Sequence, residues 1–178
     1  MENRIPLSFY TRDALEVAPA LLGKTLCRRT GDGTVDRYTI SETEAYRGEE
    51  DRACHASRGM TPRTSVMYEP GGILYMYLIY GMYWMMNIVT SHGGQPQAVL
   101  IRGLREVNGP GRLTRALRIE RSFNRESLVD SPRIWLEESR APADYTTYPR
   151  VGIDYAGEYW RDVEWRFVLH ENSLSSQG

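Results

Sequence analysis

The chain has 178 residues, a length that fits one domain or two very small ones. Hydrophobic residues make up 41% and charged residues 25%, which excludes wholesale disorder. The net charge of −1 argues against a nucleic-acid partner only until the chain is divided. Residues 102–125 hold 7 basic against 2 acidic side chains, a local charge of +5, whereas residues 126–178 hold 5 against 10. One basic surface on an otherwise neutral body is expected. Of the 22 basic residues, all but Lys24 are Arg. Arginine makes forked phosphate contacts and stacks on planar groups, although compositional bias yields the same count. Schiff-base chemistry by a lysine would have to use Lys24. Two cysteines, Cys27 and Cys54, build neither a disulfide framework nor a zinc quartet. Met1 to Tyr10 contain no apolar export segment, so reducing cytoplasm is the expected compartment.

Residues 12–22 have helical spacing, with Leu15, Ala18 and Leu22 on one side. Pro19 predicts a kink and Gly23 an end. Lys24–Arg29 and Val35–Thr43 read as two strands around the Gly31-Asp32-Gly33 turn. Residues 47–64 read as an irregular loop with one helical turn, and Glu69-Pro70-Gly71-Gly72 as a turn. From Pro70 to Ile101 there is no Asp, Glu, Lys or Arg, and residues 73–89 have the hydropathy of a membrane span. Tyr75, Tyr77, Tyr80 and Tyr83 with Gly81 in its middle argue instead for a buried β-hairpin. Its strands are Ile73–Ile79 and Tyr83–Thr90, with Tyr75, Tyr77 and Ile79 on one face and Leu74, Met76 and Leu78 on the other. Ala98–Leu104 reads as a further strand. Asn108-Gly-Pro-Gly111 opens a helix over Arg112–Ile119, with Leu113, Ala116 and Leu117 as its buried stripe. Arg112, Arg115, Arg118 and Arg121 spiral across the other side, as a solvated face or as phosphate contacts. Strands are expected near Ile134–Glu137 and Trp165–His170, and the ends, 1–10 and 173–178, as frayed. No repeat or linker divides the chain, so one mixed α/β domain over 1–178 is expected.

Glu42 and Glu44 are two apart in a strand and share a face. Such a pair can divide acid and base roles, or it can be a surface glutamate beside a structural salt bridge. Tyr46 continues the alternation if the strand reaches it. His55 with Cys54 lacks two further ligands for a metal site. The hairpin tip carries Tyr80, Met82 and Tyr83 where a polar turn is usual. It is either buried against the fold or a wedge that unstacks a duplex. In the second case Tyr46 and Tyr77 could hold an extruded base.

Longer motifs stand in order. Ser41-Glu-Thr-Glu-Ala-Tyr46, Cys54-His55-Ala-Ser-Arg-Gly59, Thr61-Pro-Arg63 and the run 74–88 closely resemble the alkyladenine (3-methyladenine, or 3-methylpurine) DNA glycosylases. Leu21-Leu-Gly-Lys-Thr25, Leu100-Ile-Arg102, Asn108-Gly-Pro-Gly-Arg-Leu-Thr114, Arg121-Ser-Phe123 and Arg150-Val-Gly-Ile153 extend the match from about Leu21 to Val168. The resemblance implies a single α+β domain: a curved antiparallel sheet flanked by helices, with a protruding hairpin that enters DNA. It implies no metal and no cofactor, a duplex containing a damaged purine as partner, no membrane, and a monomer. Carried over by motif, Glu44 resembles the base that activates water, Arg102 the arginine that helps hold it, and Val151 the carbonyl anchor. Tyr46 and Tyr77 would stack on the flipped base, with His55 at its edge and Asn87 crowding the amino group of normal guanine. Tyr80 would fill the gap in the duplex beside Met82 and Tyr83, and Arg112 and Arg121 would meet phosphate. The chain departs from the pattern between Arg105 and Asn108, where relatives carry a longer helical insertion, and at Pro19, Thr64 and Arg112. The expected reaction is monofunctional hydrolysis of the N-glycosidic bond. A damage-binding module without catalysis and a glycosidase acting on free nucleosides are the rival readings.

Overall fold

The computed structural model describes residues 3–139 and 144–171. Eight strands form one sheet: β1 (Thr25–Arg29), β2 (Val35–Arg47), β3 (Leu74–Ile79), β4 (Tyr83–Val89), β5 (Gln97–Leu104), β6 (Ile134–Glu137), β7 (Tyr145–Tyr148) and β8 (Arg166–Leu169). The order is β3-β4-β5-β2-β1-β6, every pairing is antiparallel, β8 also pairs with β2, and β7 pairs with β8. The helices are α1 (Leu7–Tyr10), α2 (Ala14–Ala20), α3 (Pro110–Leu117) and α4 (Glu158–Asp162). This is the mixed α/β architecture that the sequence implied. Among the described residues no helix is long and apolar enough to cross a membrane. The uncharged run 73–89 is the β3–β4 hairpin.

Strand β2 is the axis of the molecule. It runs four residues further than the expected end at Thr43 and reaches Tyr46. Residues 35–39 pair with β1, 42–44 with β8, and 40–47 with β5. The β2–β5 ladder breaks step twice, leaving Ser41 unpaired on one strand and Arg102 on the other. Bulges of this kind re-aim side chains and often lie beside active sites.

The alternation read from β3 divides two cores. Leu74 and Met76 join the main cluster with Leu113, Leu117 and Val17, whereas Tyr75 joins Cys54, Val66, Met67 and Ala98 beneath two 3-10 turns, His55–Arg58 and Thr64–Tyr68. In α2, Asp13 caps the N-terminus by accepting from Leu15 N–H, and the helix stops one residue after Pro19 rather than kinking through it. It docks on β2 through Thr43 Oγ1, which donates to Ala18 O at 2.9 Å.

Four further expectations are corrected. Residues 3–10 are ordered rather than frayed: Ile5 N–H donates to Leu136 O, and Ile5 and Tyr10 are buried. Gly71 makes this docking possible, since a Cβ there would strike Tyr10 O and lie 2.9 Å from Thr90 Cα. The helix opened by Asn108-Gly-Pro-Gly111 begins at Pro110 and ends at Leu117, where Arg118 takes a left-handed φ of 53°. Its buried stripe is Leu113, Thr114 and Leu117, and Ala116 is exposed. Thr114 goes inside because its hydroxyl donates to Trp84 O at 2.8 Å, fastening α3 to β4. Arg121 lies beyond this helix in a separate 3-10 turn, Arg121–Phe123. The expectation for residues 173–178 falls outside the described residues.

Candidate active site

Glu44 and Tyr46 of β2, beyond the bulges, face a cleft of about 530 Å³. Glu44, Tyr46, His55, Tyr77, Tyr80, Asn87, Arg102 and Val151 all line it, so the side chains singled out in sequence from five different segments converge on one cavity. Glu44 sits at its floor with no exposed side-chain surface. Its Oε1 accepts from Tyr46 Oη at 3.1 Å and lies 3.5 Å from Arg102 Nη1, while Oε2 accepts from Val151 N–H at 2.7 Å. Burial pushes the Glu44 carboxyl above the ordinary glutamate value, and Arg102, the Val151 N–H, Tyr46 and Arg150 partly offset that rise. A carboxylate of raised proton affinity that lines the cleft is suited to take a proton from water.

Aromatic rings form the walls. Burial holds the Tyr46 and Tyr77 hydroxyls protonated, well above the ordinary tyrosine value. His55 packs edge-on against Tyr77 with centroids 4.4 Å apart, and its Nδ1 lies 3.0 Å from Tyr75 Oη and 3.1 Å from Arg63 Nη2. Burial and the Arg63 charge lower its pKa to about 4, so the ring is neutral at pH 7. Arg63 Nη2 also lies 3.4 Å from Nε2, so the guanidinium, which can only donate, caps one side of the neutral ring. Asn87 is buried on β4, and its amide donates to Tyr75 O at 3.2 Å.

Sequence reasoning missed several residues here. Tyr75 and Arg63 line the cleft and hold His55; the alternation with Tyr77 marked Tyr75, and Thr61-Pro-Arg63 marked Arg63. Asp51 carried no local signal, and Arg150 was marked only as the first residue of Arg150-Val-Gly-Ile153, with no role attached. Their side chains are fully buried and paired, with Arg150 Nη1 and Nη2 donating to Asp51 at 2.7 and 3.0 Å. Asp51 also accepts from Arg47 N–H and Ala53 N–H, and Arg150 donates to Ala45 O. The guanidinium lies 4.9 Å from the Tyr46 and Trp165 rings. This pair fixes the peptide that presents Val151 N–H to Glu44.

At the mouth, Tyr80 is 88% exposed and Met82 59% exposed. The tip is therefore not buried against the fold. Tyr80 and Gly81 both take left-handed backbone, with φ of 51° and 65°, and for a bulky residue such as Tyr80 this is an uncommon conformation. Tyr83 is half-buried instead and packs on Gly111, where a Cβ would come within 2.9 Å of its ring. Arg112, Arg118 and Arg121 are exposed, and among the described residues their guanidinium groups make no hydrogen bond or ion pair. Met82 and Arg118 share a shallower groove outside the main cleft. Cys54 is buried with its thiol pushed up to about 12, which makes it inert.

A family model described as methylpurine-DNA glycosylase matches residues 8–108 and 105–173. The two stretches meet where β5 passes directly into the Asn108-Gly-Pro-Gly111 turn, at the shortened segment. A Legionella pneumophila (strain Lens) protein named "Putative 3-methyladenine DNA glycosylase" is 42% identical over 185 residues, covering 98% of this chain and 99% of the relative. Proteins of the same name from Methanocella arvoryzae and Myxococcus xanthus are 43% and 42% identical, over 86% and 99% of this chain and 86% and 95% of the relatives. The cleft, its buried glutamate and these matches place the chain in the methylpurine-DNA glycosylase family.

Proposed function

We propose that this protein extrudes damaged purines from duplex DNA and hydrolyses their N-glycosidic bond with a water activated by Glu44. The observation that carries the reading is the Glu44 carboxylate, buried among Arg102, Val151 N–H and Tyr46 at the floor of an aromatic cleft. A base within a duplex is out of reach, and extrusion costs a few kcal/mol, least for damaged bases. Tyr46 and Tyr77 stack on the extruded ring and His55 meets its edge. Purines alkylated at N3 or N7 are cationic and leave readily. The site then needs one positioned water and negative charge near the developing oxocarbenium ion, and ionised Glu44 supplies both. Arg102 holds the water, with the Val151 carbonyl as the third anchor.

The single lysine is engaged elsewhere: Lys24 Nζ lies 2.6 Å from Glu138, and neither residue lines the cleft. Hydrolysis is therefore monofunctional, leaving an abasic site with the strand intact. The test is release of free base from methylated duplex DNA, with strand breaks appearing only after alkali. Tight binding to the lesion without release would make the protein a damage sensor. Steep weakening of binding with salt separates either case from turnover of free nucleosides.

Two substitutions probe recognition. Tyr80→Ser removes an exposed ring from the tip and leaves the core untouched, so thermal stability should hold. Loss of one aromatic–base stacking contact should lower excision from duplex DNA roughly 5- to 150-fold. Unchanged duplex excision would refute the wedge. Asn87→Ser shortens the side chain that crowds the amino group of guanine and should raise release of undamaged guanine by about tenfold, measured on unmodified duplex over long incubation.

A further inference from the structure

Strand β2 carries a second carboxylate, Glu42, on the side of Glu44, and it lies between two guanidinium groups. Its Oε1 accepts from Arg166 Nη1 of β8 at 3.0 Å and lies 3.5 Å from Arg102 Nε of β5. The opposite end of the Arg102 guanidinium, Nη1, lies 3.5 Å from Glu44 Oε1. The charges thus alternate along one line: Arg166, Glu42, Arg102, Glu44. The two bulges create it, since Ser41 and Arg102 are the residues that drop out of the ladder. Arg166 is itself anchored, donating from Nε to Pro149 O at 2.9 Å and lying 4.9 Å from the Tyr148 ring.

We infer that Glu42 is a positioning residue for the reaction: it holds Arg102 midway between the two carboxylates, so that Arg102 can orient water without fully neutralising Glu44. This deepens the proposed function and rests on Glu44 being its base. The physical reason is competition for one cation. A guanidinium shared by two carboxylates stabilises each anion less than one committed to a single partner. Burial already raises the proton affinity of Glu44, and Arg102 is the largest influence opposing that rise. The other groups acting on Glu44 are Arg150, Val151 N–H and Tyr46. Those facing Glu42 are Arg102 and Arg166.

Two variants of the full-length protein pull in opposite directions. Glu42→Gln keeps the shape, removes a like charge and commits Arg102 to Glu44, so the Glu44 pKa should fall by roughly 0.5–1 unit. Arg166→Met removes a cation and leaves Glu42 to draw Arg102 away, so it should rise by a similar amount. The direct readout is 13C NMR titration of the Glu44 carboxyl, which requires no activity. The second is the acid limb of single-turnover base release from methylated duplex, which should track the NMR midpoint. In Glu42→Gln the plateau rate should also drop about three- to tenfold, because a weaker base holds a less well-aimed water. An NMR midpoint that stays put in Glu42→Gln, or that moves the same way in both variants, overturns the inference. If the native protein releases no base, the enzymatic reading fails while the titration still decides whether Glu42 governs Arg102.

Discussion

Glu44→Gln is expected to lower release of methylated purines by about 10³-fold while duplex binding persists, the scale of a lost general base. Gln keeps an oxygen for Val151 N–H and an amide for Tyr46, while the charge pairing with Arg102 is lost. It cannot accept the proton of an attacking water, and it offers no charge to an oxocarbenium ion. Stability should move the other way. The Glu44 pKa is raised in the folded state by burial, so its contribution to stability is full below the ordinary glutamate pKa and is lost as pH rises from there through the raised value. The Gln variant has no such loss. It should match the native protein in acid and exceed it at neutral pH, read from urea midpoints at both pH values. The native rate should fall as pH drops through the same raised pKa. A variant that retains base release would remove Glu44 from the mechanism.

The second large effect is on folding. Asp51→Asn should cost about 3–5 kcal/mol, the usual penalty for stripping the partner from a fully buried charge. Asp51 accepts two bonds from Arg150 and two from backbone N–H groups. Asn has one accepting oxygen, and its NH₂ would face a guanidinium. For a chain of this length that corresponds to a melting temperature lower by roughly 6–20 °C. Removal of both charges, Asp51→Asn with Arg150→Met, should recover part of the loss, whereas base release should stay low because Val151 N–H is no longer held on Glu44. A single variant as stable as the native protein would show that Arg150 finds another partner or water.

What the sequence made legible follows the range over which each signal acts. Strands β3, β4, β5 and β6 were read within one or two residues, because period-2 alternation and Gly-rich turns are local. Strand β7 was missed: Tyr145–Tyr148 is short, largely exposed and paired with β8, so it lacks an apolar rhythm. Helix α1 has four residues, too few to show a period. The inside position of Thr114 was hidden because its polar group is satisfied by a carbonyl on another element. Catalytic and stacking candidates came from ordered motifs, and the structure gathers Glu44, Tyr46, His55, Tyr77, Asn87, Arg102 and Val151 around one cleft. The supporting charges were not legible. Nothing near Asp51 distinguishes it from a solvated carboxylate, and although spacing set Glu42 beside Glu44, the partner of neither could be read, because Arg150 and Arg166 lie 99 and 124 residues away.

Those separations also fix an order of assembly. Val151 meets Glu44 across 107 residues of chain, and contacts of such span form only after the loop between them has been closed. A ribosome that has released the hairpin, α3 and the whole of β2 has still made a protein whose carboxylate lacks its backbone partner. If the proposed function holds, half-finished molecules would therefore carry the exposed tip before the site beneath it is complete, and competence would arrive with the last stretch of polypeptide.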